Sequence, residues 1–270
     1  MNSRDSLSEM VFDSLTHVTP DGRWFSTHYD ASERRLLKEM DEHGISKAVV
    51  VALAEYIDND FVLGLCERYA DRLVPGASFN PARFSTPNEV KRAARASLEN
   101  RPFAVLKLHP RLNRYDPLGP CCLALLEEVA SWDRPLPIWL CTFLHYQGAN
   151  LRKPLVDTLH DLAGRFPSLK FVFLHAGGAN ILPLAQAIRD CGNVFLDLSF
   201  TLHRYMGSSL ELDIKHLLKS FEKRLIFGSD FPEVSLGEAM DDFKALSMDL
   251  DKSSRSLVLG GNLTKLLGLG

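Results

Sequence analysis

Short apolar and β-branched runs recur along the chain at residues 11–17, 47–53, 73–79, 103–109, 136–142, 169–175, 194–200 and 224–230, with starts 25 to 36 residues apart. That interval fits one strand plus one helix, and the segments between the runs carry helical periodicity. Leu36, Leu37 and Met40 in ASERRLLKEMDEHG show it, as do Leu123, Leu125, Leu126 and Val129 in CCLALLEEVA. Asp30 stands three residues before Glu33, Thr86 precedes Pro87 and Glu89, and Ser235 precedes Glu238, each at the spacing of a capping box, while Gly44 offers a helix stop. The runs VVVAL and FVFLH are apolar throughout, as parallel strands covered on both faces must be. Eight βα units predict an α/β fold, a single (β/α)8 (TIM) barrel, because each parallel crossover needs a helix and eight strands close without an edge. A doubly wound open sheet would want a Gly-rich phosphate turn after an early strand, whereas the first run leads into Thr16-His17-Val18-Thr19-Pro20. Without a Pro/Gly/Ser linker or a low-complexity tract, residues 1–270 read as one domain with a loose leader over 1–10.

Composition narrows the partners. Lys and Arg number 31 against 34 Asp and Glu, and no long run of one sign appears, which argues against nucleic acid or a charged membrane surface. No basic segment followed by an apolar stretch opens the chain, and no uninterrupted apolar run reaches membrane length, so a cytoplasmic protein is expected. The cysteines are Cys66, Cys121, Cys122, Cys141 and Cys191; an odd count without a C-x-x-C pair fits reduced thiols. A small-molecule enzyme or a protein-binding module remains.

In such a barrel the site lies at the C-terminal ends of the strands. There the sequence places Asp13-Ser14-Leu15-Thr16-His17, Lys107-Leu108-His109-Pro110, Trp139-Leu140-Cys141-Thr142, His175-Ala176-Gly177-Gly178 and Gly228-Ser229-Asp230-Phe231-Pro232. Singly, a buried histidine is often a hydrogen-bonded core residue and an aspartate after a strand often a helix cap. Five such ends together are harder to explain that way, since clustered buried ionisable groups must be paired or bind a cation. Lys107 and His109, two apart on one strand, share a face toward the barrel interior or rim, where Lys107 could hold a substrate carboxylate. Arg111 and Arg114 could extend that anion site. His28, His43, His160, His203 and His216 fall on expected loops or helices and receive no role.

The segments VFDSLTH, AVLKLHP, FVFLHAGG, NVFLDLSF, RLIFGSDFP and LGGNLTKLLGL, in this order, resemble the amidohydrolase superfamily. The resemblance is to the branch that holds aminocarboxymuconate-semialdehyde decarboxylase, resorcylate decarboxylases and pyrone-dicarboxylate lactonase. It implies a metal-dependent hydrolase or non-oxidative decarboxylase acting on a small carboxylated or carbonyl compound, with one divalent ion, zinc or manganese. By position, His17 resembles the second histidine of the family's first-strand His-x-His pair, a metal ligand. Asp230 resembles the eighth-strand aspartate, metal ligand and proton acceptor, and His175 the sixth-strand histidine beside the metal. Two positions depart: Leu15 stands where the first histidine is expected and Cys141 where the fifth-strand histidine is expected. Cys141 as a thiolate would give a set of His17, Cys141, His175 and Asp230, and His145 could substitute from the following loop. With two ligands altered the metal could be absent. Two alternatives are therefore a metal-independent lactonase-like hydrolase with Asp230 as general base, and a degenerate barrel that binds a ligand without catalysis. Lys107, His109 and Arg111 are the expected substrate-binding residues, and relatives suggest a homodimer. Trp24, Phe25, Tyr29, Tyr56, Tyr115, Phe143, Tyr146 and Tyr205 lie in loops at the mouth and hint at an apolar or ring-bearing ligand.

Overall fold

A computed structural model of the chain describes residues 10–143 and 151–269. The strands are β1 (Val11–Thr16), β2 (Ile45–Val51), β3 (Leu73–Ser78), β4 (Val105–Leu108), β5 (Ile138–Cys141), β6 (Phe171–Leu174), β7 (Val194–Asp197) and β8 (Leu225–Ile226). They pair in sequence order, every pair parallel. The helices are α1 (Glu33–His43), α2 (Asn59–Arg68), α3 (Pro87–Leu98), α4 (Pro110–Asn113), α5 (Pro120–Ala130), α6 (Leu155–Arg165), α7 (Ile181–Ala187), α8 (Thr201–Arg204), α9 (Leu210–Ser220), α10 (Leu236–Leu246), α11 (Lys252–Ser256) and α12 (Asn262–Leu267). The chain is thus a (β/α)8 barrel; seven of the eight apolar runs contain their strand, and the run at 47–53 overlaps β2, which begins two residues earlier at Ile45. Most of the local starts and stops lie where the sequence puts them. Thr86 with Glu89 and Ser235 with Glu238 form reciprocal capping boxes, and Gly44 ends α1 in the left-handed region at φ 70°. The first cap is different. Ser32, not Asp30, caps α1 by accepting from the Arg35 amide, and the Asp30 carboxylate accepts from the Ser32 amide at 2.8 Å to shape the turn before it. The expected leader over 1–10 lies outside the described residues except for Met10. Among the described residues no helix is long and apolar enough to cross a membrane.

Strand alternation divides the apolar side chains into two layers. Phe12, Val49, Val51, Val74, Val105, Trp139, Val172, Leu174 and Ile226 fill the barrel, together with Leu15. Alternate residues such as Val50, Leu106, Leu140 and Phe173 join Leu36, Val90, Leu125 and Leu159 of the helices in a larger outer core. Gly76 sits inside the barrel where a Cβ would lie 2.8 Å from Val105 Cγ2 and 3.1 Å from Val51 Cγ2, so the absence of a side chain there lets its neighbours fill the layer. Leu263 of α12 closes the barrel at the strand starts, packing with Phe12 and Ile226.

Between β8 and β1 the ring is completed irregularly. β8 spans two residues, shorter than the 224–230 run, because the chain beyond it serves the seam: Ser14 N donates to Phe227 O at 3.1 Å, Asp230 N to Leu15 O at 3.0 Å and His17 N to Phe231 O at 2.8 Å. The register of β1 shifts between Asp13 and Thr16. The buried Asp13 carboxylate bridges this seam, accepting from the Leu15 and Ser229 amides at 3.0 Å each. Burial pushes its carboxyl up to about 7, against the opposing pull of those hydrogen bonds. A folded pKa above the unfolded value means the folded state holds its proton more tightly. The associated stability, up to about 4 kcal/mol, is present below about pH 4 and is lost as pH rises toward 7. Asp13→Asn keeps the accepting oxygen and removes the titration. Urea melts from pH 4 to 8 are expected to show wild type losing stability relative to Asp13→Asn across that window; parallel curves would refute the assignment.

Candidate active site

The strand ends open into a cavity of about 610 Å³ lined by Lys107 of β4 and by residues of the segments that follow β1, β2, β4, β5, β6, β7 and β8. His17 is fixed first. Its Nδ1 lies 2.7 Å from Val51 O at the top of β2, and a carbonyl can only accept, so Nδ1 carries the ring proton and Nε2 presents its lone pair. Lys107, on the interior face of β4 and 2% exposed, places Nζ 2.8 Å from that Nε2 and donates to it. Burial, reinforced by the Lys107 charge, holds the His17 imidazole well below its ordinary pKa, in keeping with an accepting neutral ring. Burial also lowers the Lys107 pKa, while the nearby Asp230 carboxylate opposes the shift. Trp24 stacks on His17 with ring centroids 5.2 Å apart, and its Nε1 donates to Glu233 at 2.9 Å.

Asp230 follows β8, with Oδ1 4.0 Å from His17 Nε2 and a side chain 15% exposed toward the cavity. Burial raises its carboxyl to about 6, although Lys107 and Arg111 pull the other way. Its φ is 70°, and His175 and Ala176 after β6 and Phe200 after β7 also lie in the left-handed region, at 62°, 48° and 59°. Such backbone costs of order 1–3 kcal/mol per residue and persists only where its surroundings enforce it. At His175 Asp197 holds it: the buried carboxylate accepts from the His175 and Ser199 amides at 3.2 and 3.1 Å and from the hydroxyls of Ser14 and Ser199. Gly228 is required in the same place, since a Cβ would lie 2.5 Å from Ser14 Oγ and 2.6 Å from Asp197 Oδ2. Thr201 Oγ1 donates to His175 O at 2.7 Å, and the His175 ring stacks on Phe143 with centroids 4.5 Å apart. His175 Nδ1 lies 3.1 Å from Ser199 O, which assigns its proton to that nitrogen. Burial carries its pKa down to about 4, opposed by Asp197 and helped by Lys107.

Around this centre the cavity is cationic. Lys107, Arg111, Arg114 and Arg204 line it against two carboxylates, Asp230 and Glu233, while His17, His109 and His175 are held neutral mainly by burial. His109 caps the short α4 with Nδ1, which accepts from Leu112 N at 3.3 Å. Trp24, Phe25, Tyr56, Phe143 and Phe200 supply aromatic walls. Lys107, His109 and Arg111, expected to bind substrate, therefore stand together. Tyr29, Tyr115 and Tyr205 are not among the cavity lining, and Tyr146 and His145 lie outside the described residues. Sequence reasoning gave no role to Asp197, Glu233 and Arg204. The carboxylate in NVFLDLSF was a visible signal, a charge inside an apolar run, whereas Glu233 and Arg204 lie in loops with no pattern.

The expected metal set can be tested against this geometry. Among the described residues no group of three or more His, Cys, Asp and Glu side chains could hold a metal ion. The one accepting nitrogen of His17 is engaged by Lys107, Leu15 belongs to the apolar barrel filling, and Cys141, buried at the end of β5, is absent from the cavity lining. Burial raises the Cys141 pKa and favours thiol over thiolate. The described side chains as arranged do not fit a divalent cation; His145, the substitute ligand offered by the sequence, lies outside the described residues.

Comparison with known proteins places the barrel. No curated protein sequence matches the chain significantly. Among solved structures, a probable 2-pyrone-4,6-dicarboxylic acid hydrolase of Acinetobacter baumannii, with citric acid bound, superposes with a TM-score of 0.65 at 22% identity, covering 96% of this chain and 99% of that one. A 5-carboxyvanillate decarboxylase of Novosphingobium aromaticivorans complexed with manganese gives 0.68 at 14% identity, covering 96% of each chain. An amidohydrolase of Burkholderia multivorans with bound zinc gives 0.64 at 14%, covering 96% and 99%. These likenesses establish the shared barrel. The amidohydrolase family model matches residues 13–269, nearly the whole chain, and on that match the protein belongs to the amidohydrolase family and is an enzyme of hydrolase or lyase type.

Proposed function

We propose that the enzyme hydrolyses or decarboxylates a small ring-bearing carboxylate, with Asp230 carrying the proton and Lys107, His109 and Arg111 binding the substrate's anionic end. The observation that carries this reading is Asp230: a carboxyl raised to about 6 that faces a cationic, aromatic-walled cavity. A group with a pKa near the working pH both takes and returns a proton efficiently. In hydrolysis the ionised Asp230 takes a proton from water as it attacks the carbonyl, Lys107 and Arg111 stabilise the developing oxyanion, and the protonated Asp230 then delivers its proton to the leaving oxygen. In decarboxylation the protonated Asp230 supplies a proton to the ring carbon that loses carbon dioxide. The manganese and zinc of related structures favour a metal-assisted variant, but the donors among the described residues do not fit one.

The natural panel is pyrone carboxylates and carboxylated hydroxybenzoates, followed by loss of their ultraviolet absorbance. Turnover of at least one member is expected, and Asp230→Asn is expected to reduce kcat by about 10²–10⁴-fold. An Asp230→Asn enzyme as fast as wild type would place the chemistry elsewhere. The pH profile separates the two reactions. For hydrolysis the base must be ionised, so kcat/KM rises with pH and levels off above about 6; for decarboxylation the acid must be protonated, so the rate falls above about 6. Replacement of Arg111 by Ala is expected to raise KM about tenfold or more with a smaller effect on kcat, as measured by initial rates.

A further inference from the structure

The contact between Lys107 and His17 joins residues 90 positions apart and puts the side chain of one strand on the histidine of another. His17 has one nitrogen with which to bind any cation, because Nδ1 is committed to Val51 O at 2.7 Å. That nitrogen accepts from the Lys107 ammonium at 2.8 Å, a hydrogen-bond distance that leaves no room for an ion between them. On the other side stands Asp230, whose Oδ1 is 4.0 Å from the same Nε2 and whose charge acts on Lys107. An ammonium has three donors. With one on His17, two remain for oxygens of a molecule in the cavity that Lys107 lines. Among the described residues the further donors a metal would need are missing from the same place, since Leu15 is in the barrel filling and Cys141 is not in the cavity lining.

We infer that Lys107 is the resident cation of this site: its tethered ammonium takes the position at His17 Nε2 and the electrostatic role that a divalent ion would otherwise fill. The neutral His17 is then a positioning residue. It orients the ammonium toward Asp230 and the substrate oxygen and ligates nothing. Position and charge are supplied together by β4, so neither depends on a bound metal. The inference adds to the proposed reaction the identity of the group that polarises the substrate, and it rests on that reading only for the presence of a substrate oxygen.

Its test requires no turnover, so it fails or stands independently of the substrate panel. Wild type, His17→Ala, Lys107→Met and Lys107→Arg, all purified without an affinity tag, are incubated with zinc chloride or manganese chloride, desalted and counted for metal by plasma mass spectrometry. Nitrogen-15 spectra of labelled histidine report the His17 ring in parallel. Wild type is expected to retain under about a tenth of an equivalent of either metal at this site. Its His17 Nε2 should show an unprotonated, hydrogen-bonded nitrogen that moves in Lys107→Met and does not move on adding zinc. One equivalent of metal in wild type that is lost in His17→Ala overturns the inference, as does a His17 signal indifferent to Lys107→Met. Should Lys107→Met fail to fold, the wild-type metal count decides alone, and Lys107→Arg, which keeps a cation, should be as metal-free as wild type.

Discussion

The barrel depends on how its last turn is closed. Seven strand pairs form parallel ladders, the β1–β2 pair with register shifts, whereas β8 meets β1 through single backbone hydrogen bonds from Ser14, His17 and Asp230 and through the Asp13 carboxylate. A two-residue strand cannot supply enough ladder bonds to hold a seam, so side-chain acceptors complete it. Asp13 accepts from amides of both sides, and Asp197 ties β7 to Ser14 of β1 and to the turn after β6. Both carboxylates are buried, and burial raises the pKa of each. The same irregularity frees the end of β8 from a straight course, which lets Asp230 adopt its left-handed backbone and turn its carboxylate into the cavity. Closure and site construction are one event in this molecule.

Electrostatics then assigns the roles. The histidines at the cavity floor are all pushed toward neutrality, chiefly by burial and then by Lys107, so they serve as acceptors and stacking surfaces. Charge resides on Lys107, the arginines and the two carboxylates. Lysine suits the centre, because its compact ammonium sits on a stem that the barrel interior covers, while the planar arginines suit the rim, where a carboxylate can be held bidentately.

Much of this was legible in the residues. The strand interval, the apolar runs and two of three capping boxes follow from local periodicity and hydrogen-bond chemistry, which sequence records directly. Ser32 replaced Asp30 as a cap because either side chain can satisfy a first-turn amide, and two residues decide which one does. The strand-end motifs brought Lys107, His109, Arg111, His175 and Asp230 to one cavity, as barrel topology requires. Three features were hidden for one reason: they depend on distances between strands. The partner of His17 lies on β4, Asp197 gathers donors from β1 and the turn after β6, and Glu233 is engaged by a tryptophan 209 positions away. Motif position suggested a ligand role for His17; only the direction of its Nδ1 hydrogen bond shows which nitrogen is available and what already uses it.

The departures at Leu15 and Cys141 acquire a common physical explanation from Lys107. A metal ion is mobile and stays only where several donors hold it, so each lost donor weakens the site. A lysine ammonium is tethered. It needs compensation for the cost of burial, which His17 Nε2 supplies as an acceptor and Asp230 through its charge. An apolar residue at position 15 and a thiol at 141 then cost the site nothing, and the leucine contributes instead to the barrel filling. The exchange inferred above would change the chemistry as well. A single positive charge polarises an oxygen through hydrogen bonds but lacks the power of a divalent ion to acidify water. On the proposed hydrolytic reading, water activation then falls on a carboxylate, and Asp230, raised to about 6 and facing the cavity, is the group we assign to it.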